Sequence, residues 1–388
     1  MKSFVMVQTG DRRLEADELE IPRIPADGGL LRVESCGLCG TDVEQFRGSY
    51  SENGLRYPAV PGHEPVGVVE ELGAEAAQRW NLRVGDRIAV VPMLSCGRCA
   101  LCLGGAHHQC KELWRGVPGA GSGYGSIPAN HGHGLWGGYS QYLVLHPRTL
   151  FCRVPAAVGP RLANLYQALA SGMHWAVSLP RTAYGESVLV LGSGQRGLAS
   201  IVALRAAGAG PIIVTGIGRD AYKLDLALRL GATHTIVADE QDTVATVLRL
   251  TDGRGVDVAV DTVPVRGDVV NDAIACLRPG GRLVLAGLKG PGGAVPIDTD
   301  RLIARSITVQ GAFAQPFGAY EQGMDLLAAR IADLGVLHTH DYPLRAAVEA
   351  LSVLAGERPG EEPVSVTLNP WTAGAPGRAP GVPRGLPI

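Results

Sequence analysis

The sequence predicts an α/β protein in two parts: a β-rich domain that opens the chain and a doubly wound parallel sheet in the second half. Two observations carry this. From about residue 185 onward, short apolar strands alternate with helical segments, beginning with Ser187-Val188-Leu189-Val190-Leu191. Before that, short apolar runs are set off by turns at Pro22, Pro25 and Gly28-Gly29, with no helical period of any length. At 388 residues the chain is long for one domain, and two is the natural expectation.

Composition narrows the class. Hydrophobic residues make up 46%, enough for a sizeable core, which excludes global disorder. Net charge is only -2, so no basic face is implied and nucleic acid is not an expected partner. The opening Met1-Lys2-Ser3-Phe4-Val5-Met6-Val7 is too short for a signal peptide, and no apolar run is long enough for a membrane helix. A cytoplasmic enzyme is the default expectation. Of eight cysteines, four fall between 96 and 110, which reads as metal binding in a reducing compartment rather than a disulfide framework.

In order, strands are expected at Phe4–Val7, Leu30–Val33, Val66–Val69 and Arg87–Val91, the last preceded by the turn Gly85-Asp86. Residues 92–140 hold the cysteine cluster and a Gly-rich stretch, a long irregular segment of the kind that is usually functional. A strand follows at Tyr139–Leu145 and a helical segment at about 160–178. The α/β series then runs strand 187–191, helix 198–207, strand 211–215, helix 221–230, strand 235–237, helix 241–250, strand 256–260, helix 268–277, strand 282–286 and strand 307–309. Helices near 318–332 and 344–355 and a strand at Val364–Leu368 suggest a return to the first domain. The resulting division is 1–160 with a metal lobe at about 92–112, 161–312 for the parallel sheet, 313–370 for the return, and a disordered tail from Trp371 to 388 rich in Pro, Gly, Ala and Arg.

Cys96-x2-Cys99-x2-Cys102-x7-Cys110 is the most specific chemical signal. Four thiolates in a Gly-rich loop wrap one ion tetrahedrally, and a closed four-thiolate site reads as structural zinc. An Fe–S cluster uses the same ligand type, and spacing alone leaves it open.

Cys39 and His63 form a second pair, set in Gly37-Leu38-Cys39-Gly40-Thr41-Asp42 and Gly62-His63-Glu64. A thiolate and an imidazole can hold zinc with an open coordination position. Gly40 is expected to let the backbone turn beside the sulfur. Thr41 places a hydroxyl where it can relay an alcohol's proton. Glu64 offers a carboxylate as ligand or as support for one. The plainer alternative is a buried cysteine and a satisfied core histidine.

Gly192-Ser193-Gly194-Gln195-Arg196-Gly197 is a GxGxxG directly after an apolar strand and at the opening of a helix, the context that dinucleotide binding requires. Its glycines let the backbone approach a pyrophosphate, and the helix N-terminus supplies partial positive charge. The second strand ends at Thr215-Gly216, where an acid for the adenosine ribose would stand. Gly216 cannot repel a 2′-phosphate and Arg219 can bind one, whereas Asp220 could instead hold a ribose hydroxyl. The balance tips marginally to NADP over NAD.

In their order, these motifs, with Val84-Gly85-Asp86-Arg87, resemble the zinc-dependent medium-chain dehydrogenase/reductase superfamily over residues 2 to about 369. The resemblance implies a GroES-like β-rich catalytic domain, a Rossmann domain, and a catalytic zinc in the cleft between them. It implies hydride transfer between an alcohol or polyol and NAD(P), with two zinc ions per chain. Cys39 and His63 would be catalytic zinc ligands and Thr41 the start of a proton relay. Val263, Gly287, Leu288 and Phe313 would lie near the nicotinamide. A homodimer or homotetramer acting on a small-molecule alcohol or carbonyl is expected by the same analogy.

Three departures from the family pattern bear on substrate. Where a Glu-Pro-Leu segment often supplies or flanks a zinc ligand, this chain has Gln167-Ala168-Leu169. Either Glu64 coordinates, or Gln167 holds a water on the metal. The position of a relay histidine in many alcohol dehydrogenases is Glu44. Both features are similar to sugar dehydrogenases, so a zinc-dependent aldose dehydrogenase is the alternative within enzymes. The stretch 114–138, with Trp114, Tyr124, His131, His133 and Trp136, either lines the substrate pocket or packs as a surface loop on the zinc lobe. Cys36, Cys152 and Cys276 read as structural. From another class, a non-catalytic dinucleotide-binding sensor or scaffold would keep the fold but has no use for Thr41 beside Cys39 and His63.

Overall fold

The computed structural model describes residues 1–49, 56–113, 115–116, 123–290, 292–330, 332–372 and 377–378. The chain forms two compact units. One comprises Met1–Gln167 with the returns Pro316–Ala328 and Leu334 onward; the other comprises Ala168–Gln315 with Ala329–Asp333. The crossing point falls at 167/168, a few residues beyond the 160/161 read from the sequence, and the return begins at Pro316.

In the first unit the central strand is Gly29–Leu38, all but fully covered along its length. It pairs antiparallel with Glu64–Leu72 on one side and Ser365–Asn369 on the other, and Tyr142–Leu145 branches from its beginning. Arg87–Val90 and Phe151–Arg153 extend the sheet past Glu64–Leu72. Beyond Ser365–Asn369 lies a strand that hydropathy missed, His338–Pro343, paired in parallel. Its polar residues His338, Thr339 and His340 are buried, so they show no alternation to read. Two short helices, Gly40–Arg47 and Ala74–Trp80, correct the expectation of no helical segment here. At seven or eight residues they are too short to show a period and depend on their caps.

The second unit is a six-stranded parallel sheet. In space its strands run His234–Val237, Ile212–Gly216, Val188–Leu191, Val256–Asp261, Leu277–Leu285 and Thr308–Gly311. Numbered by chain order within this sheet, that is 3-2-1-4-5-6, the doubly wound order with its crossover beside the first strand. Val188–Leu191 is buried throughout, which is why it reads as an unbroken apolar run. Helices Gln195–Ala206, Ala221–Leu230, Thr243–Leu250 and Asp268–Cys276 fill the connections.

The Gly-rich stretch resolves against both sequence expectations. Tyr124, Ile127, Leu135 and Trp136 are buried in a core cluster with Leu31, Val33, Ile88 and Leu143. The Tyr124 hydroxyl contacts Thr149 Oγ1 at 2.6 Å and accepts the His146 N–H at 2.9 Å. Tyr124, Ile127, Leu135 and Trp136 are therefore core, whereas Asn130 and Gly132 between them are exposed; Trp114 lies outside the described residues. The tail also departs from expectation at its first residue. The Trp371 indole donates to the Val33 carbonyl at 2.7 Å and packs edge-on to Tyr142. Residues 377–378 pair with His338–Pro343, and the rest of the tail beyond 372 lies outside the described residues.

Candidate active site

The carboxyl end of strand Gly29–Leu38 delivers Cys39 to the N-cap of helix Gly40–Arg47, in extended conformation. The Cys39 N–H donates to Asp42 Oδ2 at 2.9 Å, which satisfies one orphan amide of the helix N-terminus and fixes Asp42. His63 enters just before strand Glu64–Leu72. Its Nε2 stands 3.3 Å from Cys39 Sγ and its Nδ1 3.4 Å from Asp42 Oδ1. Adjacent sulfur and nitrogen ligands on a tetrahedral zinc are about 3.6 Å apart. The pair therefore fits one zinc, with Nε2 toward the metal and Nδ1 toward Asp42. Asp42 faces the far nitrogen, a position from which a carboxylate orients an imidazole, and Cys39, Asp42 and His63 form a cluster whose ligand atoms all lie within 4.8 Å of one another.

Glu64 Oε1 comes within 3.8 Å of His63 Nε2. The Asn164 amide donates to the Glu64 carbonyl at 2.7 Å and its oxygen accepts from Ser35, tying the sheet to the segment that carries Gln167. Gln167 is buried three residues beyond Asn164. Burial opposes charge on His63, but the Asp42 carboxylate and then Cys39 outweigh it and raise the pKa well above the usual value. Thr41 is exposed in the helix's first turn. Glu44 is held by Ser49 at 2.7 Å and Arg47 at 3.2 Å. The backbone freedom expected of Gly40 belongs to Gly62, whose φ is +92° and where a Cβ would strike the Tyr139 ring. Gly40 is simply the first helical residue.

The second cluster is the four-cysteine lobe. Cys96, Cys99, Cys102 and Cys110 are all free thiols, and their sulfurs all lie within 4.8 Å of one another. Cys99 Sγ lies 3.4 Å from Cys102 Sγ and 3.9 Å from Cys110 Sγ, and Cys96 Sγ lies 3.9 Å from Cys102 Sγ, bracketing the roughly 3.8 Å of sulfurs on a tetrahedral zinc. Left-handed Gly97 and Gly105 turn the chain around them. The backbone N–H of Arg98, first among several donors, pulls the Cys96 thiol down to about 6.

In the second unit Gly192 has φ +100°, and a Cβ there would meet Thr262 and Val263. Gly197 packs against the Gly192 carbonyl so closely that no side chain fits. Gly194 caps helix Gln195–Ala206 with no side-chain bond and with open space around it. That is the cradle a pyrophosphate needs. Gln195 begins the helix, and Arg196 turns away to Ser171 Oγ at 2.8 Å. Val263 follows the fourth strand and Gly287 sits against its backbone, while Leu288 and Phe313 are 68% and 59% exposed apolar side chains after the fifth and sixth strands. Lys289, unremarked in the sequence, joins buried Asp261 at 2.7 Å and the Val263 carbonyl at 2.6 Å. At the end of the second strand, Arg219 is exposed and Asp220 is engaged by Lys223 at 2.7 Å.

Comparison with known proteins agrees with this geometry. An alcohol dehydrogenase GroES-like domain model matches residues 26–156 and a zinc-binding dehydrogenase model matches 197–329. A probable alcohol dehydrogenase of Mycobacterium tuberculosis is 38% identical over 94% of this chain and 98% of its own length. The chain belongs to the zinc-dependent medium-chain dehydrogenase/reductase superfamily. Members of this superfamily are oxidoreductases, and the two units are its GroES-like and Rossmann domains. A sorbitol dehydrogenase of Bacillus subtilis is 30% identical over 90% of the chain and 92% of its own length. Among solved structures, a zinc-binding dehydrogenase of Sinorhizobium meliloti 1021 bound to NADP superposes with TM-score 0.80 at 25% identity, covering 95% of this chain and all of the other. Among the described residues, no helix is long and apolar enough to cross a membrane.

Proposed function

We propose that this dehydrogenase oxidises a small alcohol or polyol to its carbonyl, or runs the reverse, using a catalytic zinc and NADP in preference to NAD. The observation that carries the reading is the two-sided placement of His63, with Nε2 beside Cys39 Sγ and Nδ1 beside Asp42. A core histidine has no need of a thiol on one nitrogen and a buried carboxylate on the other. Zinc bound there supplies a Lewis acid that lowers the pKa of an alcohol. Cys39 and His63 would hold it and Asp42 would keep the imidazole in the ligating tautomer; either Glu64, whose Oε1 is 3.8 Å from His63 Nε2, would complete the shell, or Gln167 would hold a water there. Thr41 is exposed where it can pass the alcohol's proton to solvent. The four-cysteine lobe would hold a second, structural zinc.

The turn from Gly192 to Gly197 would receive the pyrophosphate on backbone amides. Preference for NADP is supported by Gly216, which offers no carboxylate, by exposed Arg219, and by the capture of Asp220 by Lys223. Against it, Asp239 accepts the Gly218 N–H at 2.8 Å and brings a carboxylate near the same loop. The polyol side of the substrate range is supported by the sorbitol dehydrogenase relative, whereas Glu44 and Gln167 favour the aldose alternative.

The test joins metal analysis to steady-state assays on simple alcohols, polyols and aldoses with each nicotinamide. Two zincs per chain, and turnover lost in Cys39→Ser while dinucleotide binding persists, is the expected result. One zinc per chain, or unchanged turnover in that variant, would remove the catalytic zinc from the proposal.

A further inference from the structure

Tyr139 is among the largest fully buried side chains of the protein, and nothing in the reaction as described above uses it. Its backbone is fixed on both sides. The Tyr139 N–H donates to the Pro61 carbonyl at 2.9 Å, the preceding Gly138 N–H donates to Gly62 at 2.8 Å, and the Tyr139 carbonyl accepts the Met6 N–H at 2.9 Å. This stitching sets Tyr139 alongside the two residues that deliver His63. The ring then occupies the space that a side chain at residue 62 would fill: a Cβ on Gly62 would lie 2.4 Å from Tyr139 Cδ1.

The far end of that ring carries a hydroxyl shut away from water, with no hydrogen bond among the described residues. A buried phenol in that condition calls for a partner. The same region holds a matching acceptor. Asp42 uses Oδ2 for the Cys39 N–H, while Oδ1 faces His63 Nδ1 at 3.4 Å and is also buried without a closed hydrogen bond among the described residues. Burial, and next the Asp42 carboxylate, push the Tyr139 hydroxyl well above its usual range, so it stays a donor at any working pH.

Resting on the zinc reading of Cys39 and His63, we propose that Tyr139 is a positioning residue: its hydroxyl donates to the Asp42 carboxylate and locks the rotamer in which Asp42 holds His63 Nδ1. The order of control is Tyr139 to Asp42 to His63 to metal. A carboxylate that takes the Cys39 amide on one oxygen can still swing about its side-chain bonds. A third donor from the opposite wall removes that freedom, so Nε2 is pre-aimed at the Cys39 side before metal arrives. Outer partners of this kind are worth about 10- to 100-fold in metal affinity.

The experiment compares full-length wild type, Tyr139→Phe, Asp42→Asn and the double variant, each loaded with zinc. Zinc content is measured first, then the rate at which a chelator strips the more labile zinc, with thermal melting recorded alongside. Tyr139→Phe keeps the ring over Gly62 and removes only the hydroxyl. The expected result is two zincs in wild type, at least about tenfold faster loss of one of them in Tyr139→Phe with an unchanged melting temperature, and no further acceleration when Tyr139→Phe is added to Asp42→Asn. Loss rates in Tyr139→Phe equal to wild type would overturn the proposal and leave the zinc reading intact. Additive effects in the double variant would also overturn it, since Tyr139 would then act by some route other than Asp42. A single, four-thiolate zinc in wild type would remove the zinc reading and this proposal with it.

Discussion

Gly37 faces Glu64 so closely that a Cβ on Gly37 would lie 2.6 Å from Glu64 Oε2. The two residues pair directly across the antiparallel strands Gly29–Leu38 and Glu64–Leu72. The missing side chain is thus the space in which a buried carboxylate reaches toward His63.

Gly37→Ala should push Glu64 aside without breaking the sheet. Misplacement on the scale of an ångström at a reacting centre costs on the order of 100-fold in rate. The variant should retain the four-cysteine zinc while kcat falls by about that factor. An unchanged kcat would mean that the position of Glu64 is immaterial to catalysis.

Cys99→Ser should act on stability before activity. A four-thiolate site contributes its binding free energy to folding, and one lost ligand opens it. A loss on the order of 2 kcal/mol would lower Tm by about 5 °C in units of this size. Calorimetry with metal analysis checks it; an unaltered Tm with two zincs would remove the structural role from the lobe.

Arg219→Gln should erode the preference for NADP. A charge-assisted contact to a phosphate contributes about 1.5–3 kcal/mol, or roughly 10- to 100-fold in kcat/KM for NADP, with little change for NAD. Equal losses for both coenzymes would make Arg219 a general contributor to the loop rather than a selector.

His133 supplies a pH dependence. Burial, then the neighbouring His146 and His131, hold its pKa down at about 4, and its Nδ1 accepts the Leu135 N–H at 3.0 Å. The folded value lies below the ordinary 6.5, so the unfolded chain takes the proton first. The stability from this group is complete above that ordinary value and drains away as pH falls toward about 4. Between pH 7 and pH 5 the loss is on the order of 2 kcal/mol. His133→Gln should flatten that part of the profile in denaturant titrations at the two pH values. A slope identical to wild type would place the acid sensitivity elsewhere.

The sequence disclosed what local pattern encodes. Val188–Leu191, buried on both faces, could hardly be mistaken, and the spacing of Cys96, Cys99, Cys102 and Cys110 survives intact as a cluster of sulfurs. It disclosed less where function depends on contacts between distant residues. Asp42 was visible in its motif, yet only the fold reveals that it faces His63 from the side away from Cys39. Asn164, Tyr139 and Lys289 carry no local signature, because Glu64, Asp42 and Asp261, the residues each meets or is proposed to meet, lie far away in the chain. The stretch 123–138 misled for the opposite reason: its glycines looked like a loop while its aromatics were filling a core. His338–Pro343 hid because buried polar residues imitate a surface segment.

The strand that ends at Cys39 takes its outer neighbour from Ser365–Asn369, with Gly37 opposite Thr367 and Cys36 opposite Leu368. On the ribosome, that neighbour emerges only after every strand of the parallel sheet. The parallel sheet has all its strands in one continuous stretch and can close early, whereas the strand that ends at Cys39 waits for a partner made about 330 residues later, with Thr367 opposite Gly37. The strand that ends at Cys39 is therefore completed only once Ser365–Asn369 has been made, and a chain cut before residue 365 would keep every strand of the parallel sheet while losing the outer neighbour of the strand that presents Cys39.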